Sequence, residues 1–188
     1  MLLSVIVSKR SKAKGFSLIE VLVTLIIMSF GLLGVATMQI TNLKHNQSAY
    51  YRTQAINLAY QLSDQMRSNI NGVLNGAYNN GDVIANADCQ NSIGCNSLQM
   101  AANDLYQWLN INSQDSVSSL LPQGTGTVCI DSTPNDGCIA NSQCDGIGSI
   151  YAIKTFWVDR KDKTTVAVDD CSNYQSSNEL RFSMVFMP

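Results

Sequence analysis

Residues 15–43 read GFSLIEVLVTLIIMSFGLLGVATMQITNL, and Glu20 is the only charged side chain among them. At 1.5 Å rise per residue, a helix from Phe16 to Leu43 is about 42 Å long, against about 30 Å for a bilayer's hydrocarbon core. The segment is therefore long and apolar enough to span. Lys9, Arg10, Lys12 and Lys14 precede it, with no acid among them. Basic residues beside a span resist translocation, which puts the start of the chain in the cytoplasm and everything beyond Leu43 on the other side.

A secretory signal peptide would explain the basic residues and the apolar run, with Gly34-Val35-Ala36 as its cleavage site. The run is longer than the roughly 7–15 residues of a signal-peptide core, however. A plain membrane anchor leaves Glu20 unexplained. A carboxylate inside a span costs about 2.5–3.5 kcal/mol on insertion scales, so its presence points to function.

Helical periodicity continues past the span. Tyr51, Ala55, Leu58, Ala59, Leu62, Met66 and Ile70 recur at three- and four-residue steps, with Arg52, Gln54, Asn57, Gln61, Asp64 and Arg67 between them. This predicts one helix of about 55 residues, an apolar half (16–43) followed by an amphipathic half (44–71), with a stop at Asn71-Gly72. A break near Thr41-Asn42 is the alternative. Residues 72–97 are rich in Asn, Gly and Asp and read as loop. Leu98, Ala101, Ala102, Leu105, Trp108 and Leu109 then mark a second helix, with Ser97 as its cap and Asp104 on its solvated side. Pro122 and Gly124 break the chain. Strands are expected at 127–131, 150–158, 164–168 and 180–187, with a turn at Lys161-Asp162-Lys163 between the second and third. Leu180, Phe182, Met184 and Phe186 fall on one face of the last strand, and Trp108 and Trp157 are expected in the core. The architecture predicted is α+β, a long helix packed on a small antiparallel sheet.

The six cysteines, Cys89, Cys95, Cys129, Cys138, Cys144 and Cys171, all lie beyond the span. An even number confined to the exported side points to disulfides in an oxidising compartment. Six cysteines allow fifteen pairings, so connectivity stays open, Cys89 with Cys95 being one candidate short loop. Zinc is disfavoured, because there is no C-x-x-C pair and His45, the one histidine, is remote in sequence. The carboxylates of Asp131, Asp136 and Asp145 miss the EF-hand calcium spacing and have no closing glutamate. A Ser-His-Asp triad would need His45, just past the span, where no cleft is expected. No catalytic residue, metal or cofactor is assigned.

The run Gly15-Phe16-Ser17-Leu18-Ile19-Glu20 closely resembles the cleavage motif of type IV prepilins and pseudopilins. The resemblance implies that a membrane prepilin peptidase removes residues 1–15, cutting between Gly15 and Phe16, and methylates the new N-terminal Phe16. It also implies that Glu20 faces the amino terminus of a neighbouring subunit. Unlike many major pilins, the chain has no proline before Pro122. Downstream, residues 101–108 (AANDLYQW), 120–126 (LLPQGTG), 151–159 (YAIKTFWVD) and 29–34 (SFGLLG) are similar to the PilV family of minor pilins, the type IV pilus modification proteins.

These resemblances imply a non-catalytic minor pilin, active in pilus assembly and display. It would be held by one span in the inner membrane, with residues 72–188 as a disulfide-containing periplasmic domain, and would then enter the filament or its tip. Its partners would be the prepilin peptidase, other minor and major pilins, and the inner-membrane assembly platform. A minor pseudopilin of type II secretion shares the leader chemistry, and a membrane-anchored extracytoplasmic enzyme is the rival from another class. Without residues 1–15, eight basic side chains remain against fourteen acidic ones, a balance of −6 with His45 neutral. That balance gives no sign of a basic nucleic-acid footprint.

Overall fold

The computed structural model describes residues 15–110, 113–159, 171 and 179–188. The expected strand at 164–168 and the turn before it lie outside these residues, as does the leader up to Lys14. Two compact units divide the chain, Met1–His45 and Asn46–Pro188.

Helix α1 runs unbroken from Leu18 to Ser68 and crosses Thr41-Asn42 without interruption. In the first unit its large apolar side chains are all exposed, from Leu18 (90%) to Leu43 (62%). Its hydroxyls are satisfied by their own helix. Ser29 donates to Leu25 O (2.7 Å), Thr37 to Leu33 O (3.0 Å) and Thr41 to Thr37 O (3.0 Å), so none needs water.

In the second unit, α1 contributes Ala55, Leu58, Ala59, Leu62 and Met66 to the core. Burying each of the three longer side chains stabilises by about 1.5–3 kcal/mol. Ile70 does not join them and stays 40% exposed. The reason is that the helix stops earlier than Asn71-Gly72. Asn69 leaves helical geometry (φ −114°, ψ 52°) and caps a short helix, α2 (Ile70–Leu74), by accepting the Gly72 N–H. Gly72 therefore lies inside α2, packed so closely that a Cβ there would sit 2.5 Å from the Asn69 amide nitrogen. The stop is made instead at Gly76 (φ +74°), where Ala77 N–H reaches Gly72 O and Gly76 N–H reaches Val73 O.

The stretch expected as loop also holds core. Tyr78 is fully buried, and a 3₁₀ turn forms at Ala87–Gln90. Helix α3 spans Ser97–Leu109, but its cap is Asn96 rather than Ser97. Asn96 accepts Gln99 N–H (2.9 Å) while the Gln99 side chain accepts Asn96 N–H (3.0 Å), a full capping box that counting from Ser97 misses by one residue. A further short helix, α4 (Val117–Leu120), precedes the Pro122 turn.

Three antiparallel strands, β1 (Thr125–Ile130), β2 (Tyr151–Val158) and β3 (Glu179–Phe186), pair in the order β1-β2-β3. The α+β arrangement of a long helix packed on a small antiparallel sheet is thus observed. Register separates the two sheet faces. Tyr151, Ile153 and Trp157 join Val128 and Phe186 in the same core as the α1 stripe, with Leu180, Phe182 and Met184 packed against it. The opposite face presents Ala152, Lys154 and Phe156 beside Arg181 and Ser183. Every β2 residue from Tyr151 to Trp157 is buried, so both faces of the central strand are covered.

Strand β1 starts two residues before its expected position. Gly126, which precedes the expected strand, is a strand residue paired with Thr155. A Cβ there would sit 2.6 Å from Cη2 of Trp108 and 2.8 Å from Lys154 O. Glycine marks a close approach at this position and does not end the strand.

Candidate functional site

At the N-terminal end of the described chain, Gly15, Phe16 and Ser17 are non-helical and exposed, and α1 begins at Leu18. Ser17 O accepts Glu20 N–H (3.0 Å) and Val21 N–H (3.3 Å), which closes the first turn. A Cβ on Gly15 would meet nothing within 4 Å, so the backbone at the expected cut is open to approach. Phe16 is 84% exposed. Glu20 stands in the first turn, where a carboxylate suits the positive end of the helix dipole. It forms no ion pair among the described residues. Helix α1 is the one described helix long and apolar enough to cross a membrane.

Residues 10–36 match the prokaryotic N-terminal methylation motif. The match covers Gly15, Phe16 and Glu20 and supports a pilin-type chain carrying a prepilin-like leader, with membrane anchoring through α1. Such chains are in general structural subunits. No curated protein and no solved structure matches the chain.

All six cysteines are bonded, Cys89 to Cys95, Cys129 to Cys144 and Cys138 to Cys171. The second and third staple the loop after β1 to the strand it leaves and to Cys171. Cys129, Asp131 and Cys144 bring three potential ligand atoms within 4.8 Å of one another. They do not form a metal site, because the sulfurs are bonded to each other and the carboxylate of Asp131 contacts Lys154 Nζ.

Asp104 is not on a solvated helix face. It is almost fully buried and accepts the Tyr78 hydroxyl at 2.5 Å, while Asn69 donates to the same hydroxyl oxygen at 3.2 Å. Burial pushes the Asp104 carboxyl above its usual range, against the opposing pull of the Tyr78 hydrogen bond. Burial, with the carboxylate beside it, pushes the Tyr78 hydroxyl up as well. Trp108 and Trp157 are both core residues, and Trp108 Nε1–H donates to Leu58 O (3.1 Å), tying α3 to α1.

Sequence reasoning passed over Lys154, which is 1% exposed in the middle of β2. Its Nζ contacts Asp131, lies 2.6 Å from Asp136 Oδ1 and donates to Ser142 O at 2.9 Å. Burial pushes Asp136 up, but hydrogen bonds from Lys154 and Thr133 outweigh it and hold its carboxyl below the usual range. The signal was a lysine out of place in the apolar run IYAIKTFWV, two residues from Ala152 and Phe156 on the face opposite the α1 core.

The cavity beside β1, about 190 Å³, is lined by Asn80, Gly81, Val83, Leu105, Leu109, Gly126, Thr127 and Val128, none of them ionisable.

Proposed function

We propose that this chain is a minor pilin of the PilV type, a structural subunit that helps to prime and display a type IV pilus. The observation that carries the reading is the apolar half of α1. It is exposed along its whole length, bears Glu20 as its only charge, and begins within the methylation motif, which covers residues 10–36. Exposed apolar surface of that extent requires lipid or other apolar helices to cover it. In this reading prepilin peptidase cuts between Gly15 and Phe16 and methylates Phe16. Residues 16–43 serve as membrane span and then filament core, and the remainder of α1, to Ser68, forms the amphipathic half. Residues 72–188 stand in the periplasm before assembly. Glu20 pairs with the N-terminal amine of a neighbouring pilin, which offsets the cost of both charges in an apolar packing.

Contact between the PilV-like segments supports the narrower assignment. Trp108, from the Asp-Leu-x-x-Trp helix, lies against Gly126, from the Leu-Pro-x-Gly-x-Gly stretch, and Gly126 pairs with Thr155 in the aromatic strand. Mass spectrometry of the mature chain should find an N-methylated Phe16, and an N-terminus near Ala36 would make the chain a signal-peptide substrate instead. Glu20→Val should be cleaved normally but enter filaments poorly. Deleting the gene should reduce surface pili and leave type II secretion intact. The reverse pattern would make the chain a pseudopilin, and no change in either would defeat both assembly readings.

A further inference from the structure

Lys154 has no part in the filament reading, yet it is surrounded by an ordered set of reacting groups. It sits at the centre of β2 on the sheet face away from the α1 core, and its side chain is 1% exposed. Asp131, just past the end of β1, has a fully buried side chain in contact with Nζ through Oδ2. Apart from that ion pair, the oxygen has no hydrogen-bond partner. The other oxygen, Oδ1, accepts Thr133 N–H at 3.0 Å, with the Thr133 hydroxyl 3.4 Å away. On the other side of Nζ, Asp136 presents Oδ1 at 2.6 Å, and its Oδ2 is held by the Thr133 hydroxyl at 2.7 Å. Asp136 is 35% exposed, which opens one side of the cluster to solvent.

A desolvated ammonium and a desolvated carboxylate each carry a large burial cost, and neutralising both removes it. We propose that Lys154 and Asp131 condense into an intramolecular amide, with Asp136 carrying the protons. Lys154 first passes a proton to Asp131 Oδ2, leaving an uncharged amine beside an uncharged acid. The amine nitrogen attacks Asp131 Cγ, and negative charge develops on Oδ1, where Thr133 N–H is already placed to receive it. Asp136 takes a proton from the attacking nitrogen and delivers it to the departing Oδ2 hydroxyl. The C–O bond breaks, water leaves past Asp136, and one amide N–H remains on the former lysine. An ammonium and a carboxylate are consumed, one amide and one water are formed, and Asp136 ends as it began. The bond would tie the loop after β1 to the middle of β2, alongside the Cys129–Cys144 disulfide, and would survive reduction.

The test is the mass of the mature chain, purified from membranes in detergent, reduced and alkylated. It should be one water lighter than its processed sequence requires. Trypsin needs a free lysine and should fail to cut after Lys154. Chymotryptic cleavage after Tyr151 should leave the Asp131 and Lys154 fragments joined as a branched peptide. Lys154→Arg should restore the full mass, and so should Asp136→Asn, although it keeps both reacting side chains. Full mass and free cleavage at Lys154 in the unmodified chain would overturn the proposal, and that measurement needs no variant to fold. Loss of water mapped to a linear peptide at Asp136-Gly137, as an aspartyl succinimide gives, would overturn it equally. Cross-linking that persists in Asp136→Asn would remove Asp136 from the reaction.

Discussion

Gly126→Ala should destabilise the body, although replacing a strand glycine ordinarily does the opposite. With no close contact, the substitution would gain about 0.4–1 kcal/mol by restricting the unfolded chain. Gly126 does not adopt a positive φ, so no conformational strain opposes that gain. Opposition comes from packing. The new methyl would lie 2.6 Å from Trp108 Cη2 and 2.8 Å from Lys154 O, and the second of these is backbone in the central strand. Overpacking of this kind costs about 1–3 kcal/mol. The net expectation is a loss of about 1–2 kcal/mol, or roughly 3–6 °C in Tm for a body of this size. Thermal unfolding of Asn46–Pro188 with its disulfides formed, followed by near-ultraviolet circular dichroism, would measure it. Trp108→Phe removes the ring atoms that clash and the indole hydrogen bond to Leu58 O, and alone should cost about 1–2 kcal/mol. The double variant should cost less than the sum of the two, because the smaller ring makes room for the methyl, while the contact with Lys154 O keeps the rescue partial. A Gly126→Ala body as stable as the parent, or strictly additive losses, would refute the close approach as the reason for glycine here.

Two further predictions concern the buried network and the cystines. Because burial raises the Asp104 pKa in the folded state, the folded chain binds its proton more tightly than the unfolded chain does. That contribution to stability is present below about pH 4 and is lost as pH rises through the folded-state pKa. Asp104→Asn still accepts from Tyr78 and should flatten this part of the pH–stability curve in urea titrations. Asp104→Leu strands the Tyr78 hydroxyl and should cost about 1–3 kcal/mol; a steeper acid-side slope for the Asn variant would contradict the assignment. Removing the disulfides one at a time, by paired Cys→Ser changes, should destabilise in order of loop length. For sequence separations of 33, 15 and 6, the loop-entropy relation gives about 3.7 kcal/mol for Cys138–Cys171, about 3.0 for Cys129–Cys144 and about 2.2 for Cys89–Cys95. Chemical denaturation would rank them, and a largest loss at Cys89–Cys95 would show that native strain outweighs chain entropy.

What could be read from the sequence was periodic, and what could not depended on contacts distant along the chain. The α1 stripe from Ala55 to Met66 and the alternation in β3 follow from spacing alone. Tyr78 escaped notice because it is a single core aromatic in a stretch of Asn and Gly, and its partners Asn69 and Asp104 are 9 and 26 residues away. Asp104 looked solvated for the same reason, since nothing in α3 reveals a tyrosine waiting outside the helix. Lys154 is a single charge within an apolar strand, and strand spacing alone gives it no partner. Its carboxylates come from a loop whose path is set by two disulfides, and the pairing of six cysteines cannot be read from their order. At the N-terminal site, by contrast, Gly15, Phe16 and Glu20 are contiguous, so the motif was legible in full and the structure adds only their exposure.

On the proposed function, cleavage changes the electrostatics of α1 as well as its length. Before the cut the nitrogen of Phe16 is an amide; afterwards it is a charged amine, whether or not it is methylated. Glu20 needs such a partner. In an apolar environment its carboxylate costs about 2.5–3.5 kcal/mol, and the dipole of its own helix returns only about 0.3–1 kcal/mol. Its own chain offers no ion pair among the described residues. Most of the compensation must therefore come from a cation that processing creates on the same chain or on a packed neighbour. Gly15→Val keeps the helix and Glu20 but should block the cut, leaving no amine. Such a chain should accumulate in the membrane at normal levels and be absent from sheared filaments, even where uncleaved length alone would not exclude it. Detecting uncut Gly15→Val chain in filaments at the parent's abundance would show that Glu20 finds its counter-charge elsewhere, and would break the link between cleavage and packing.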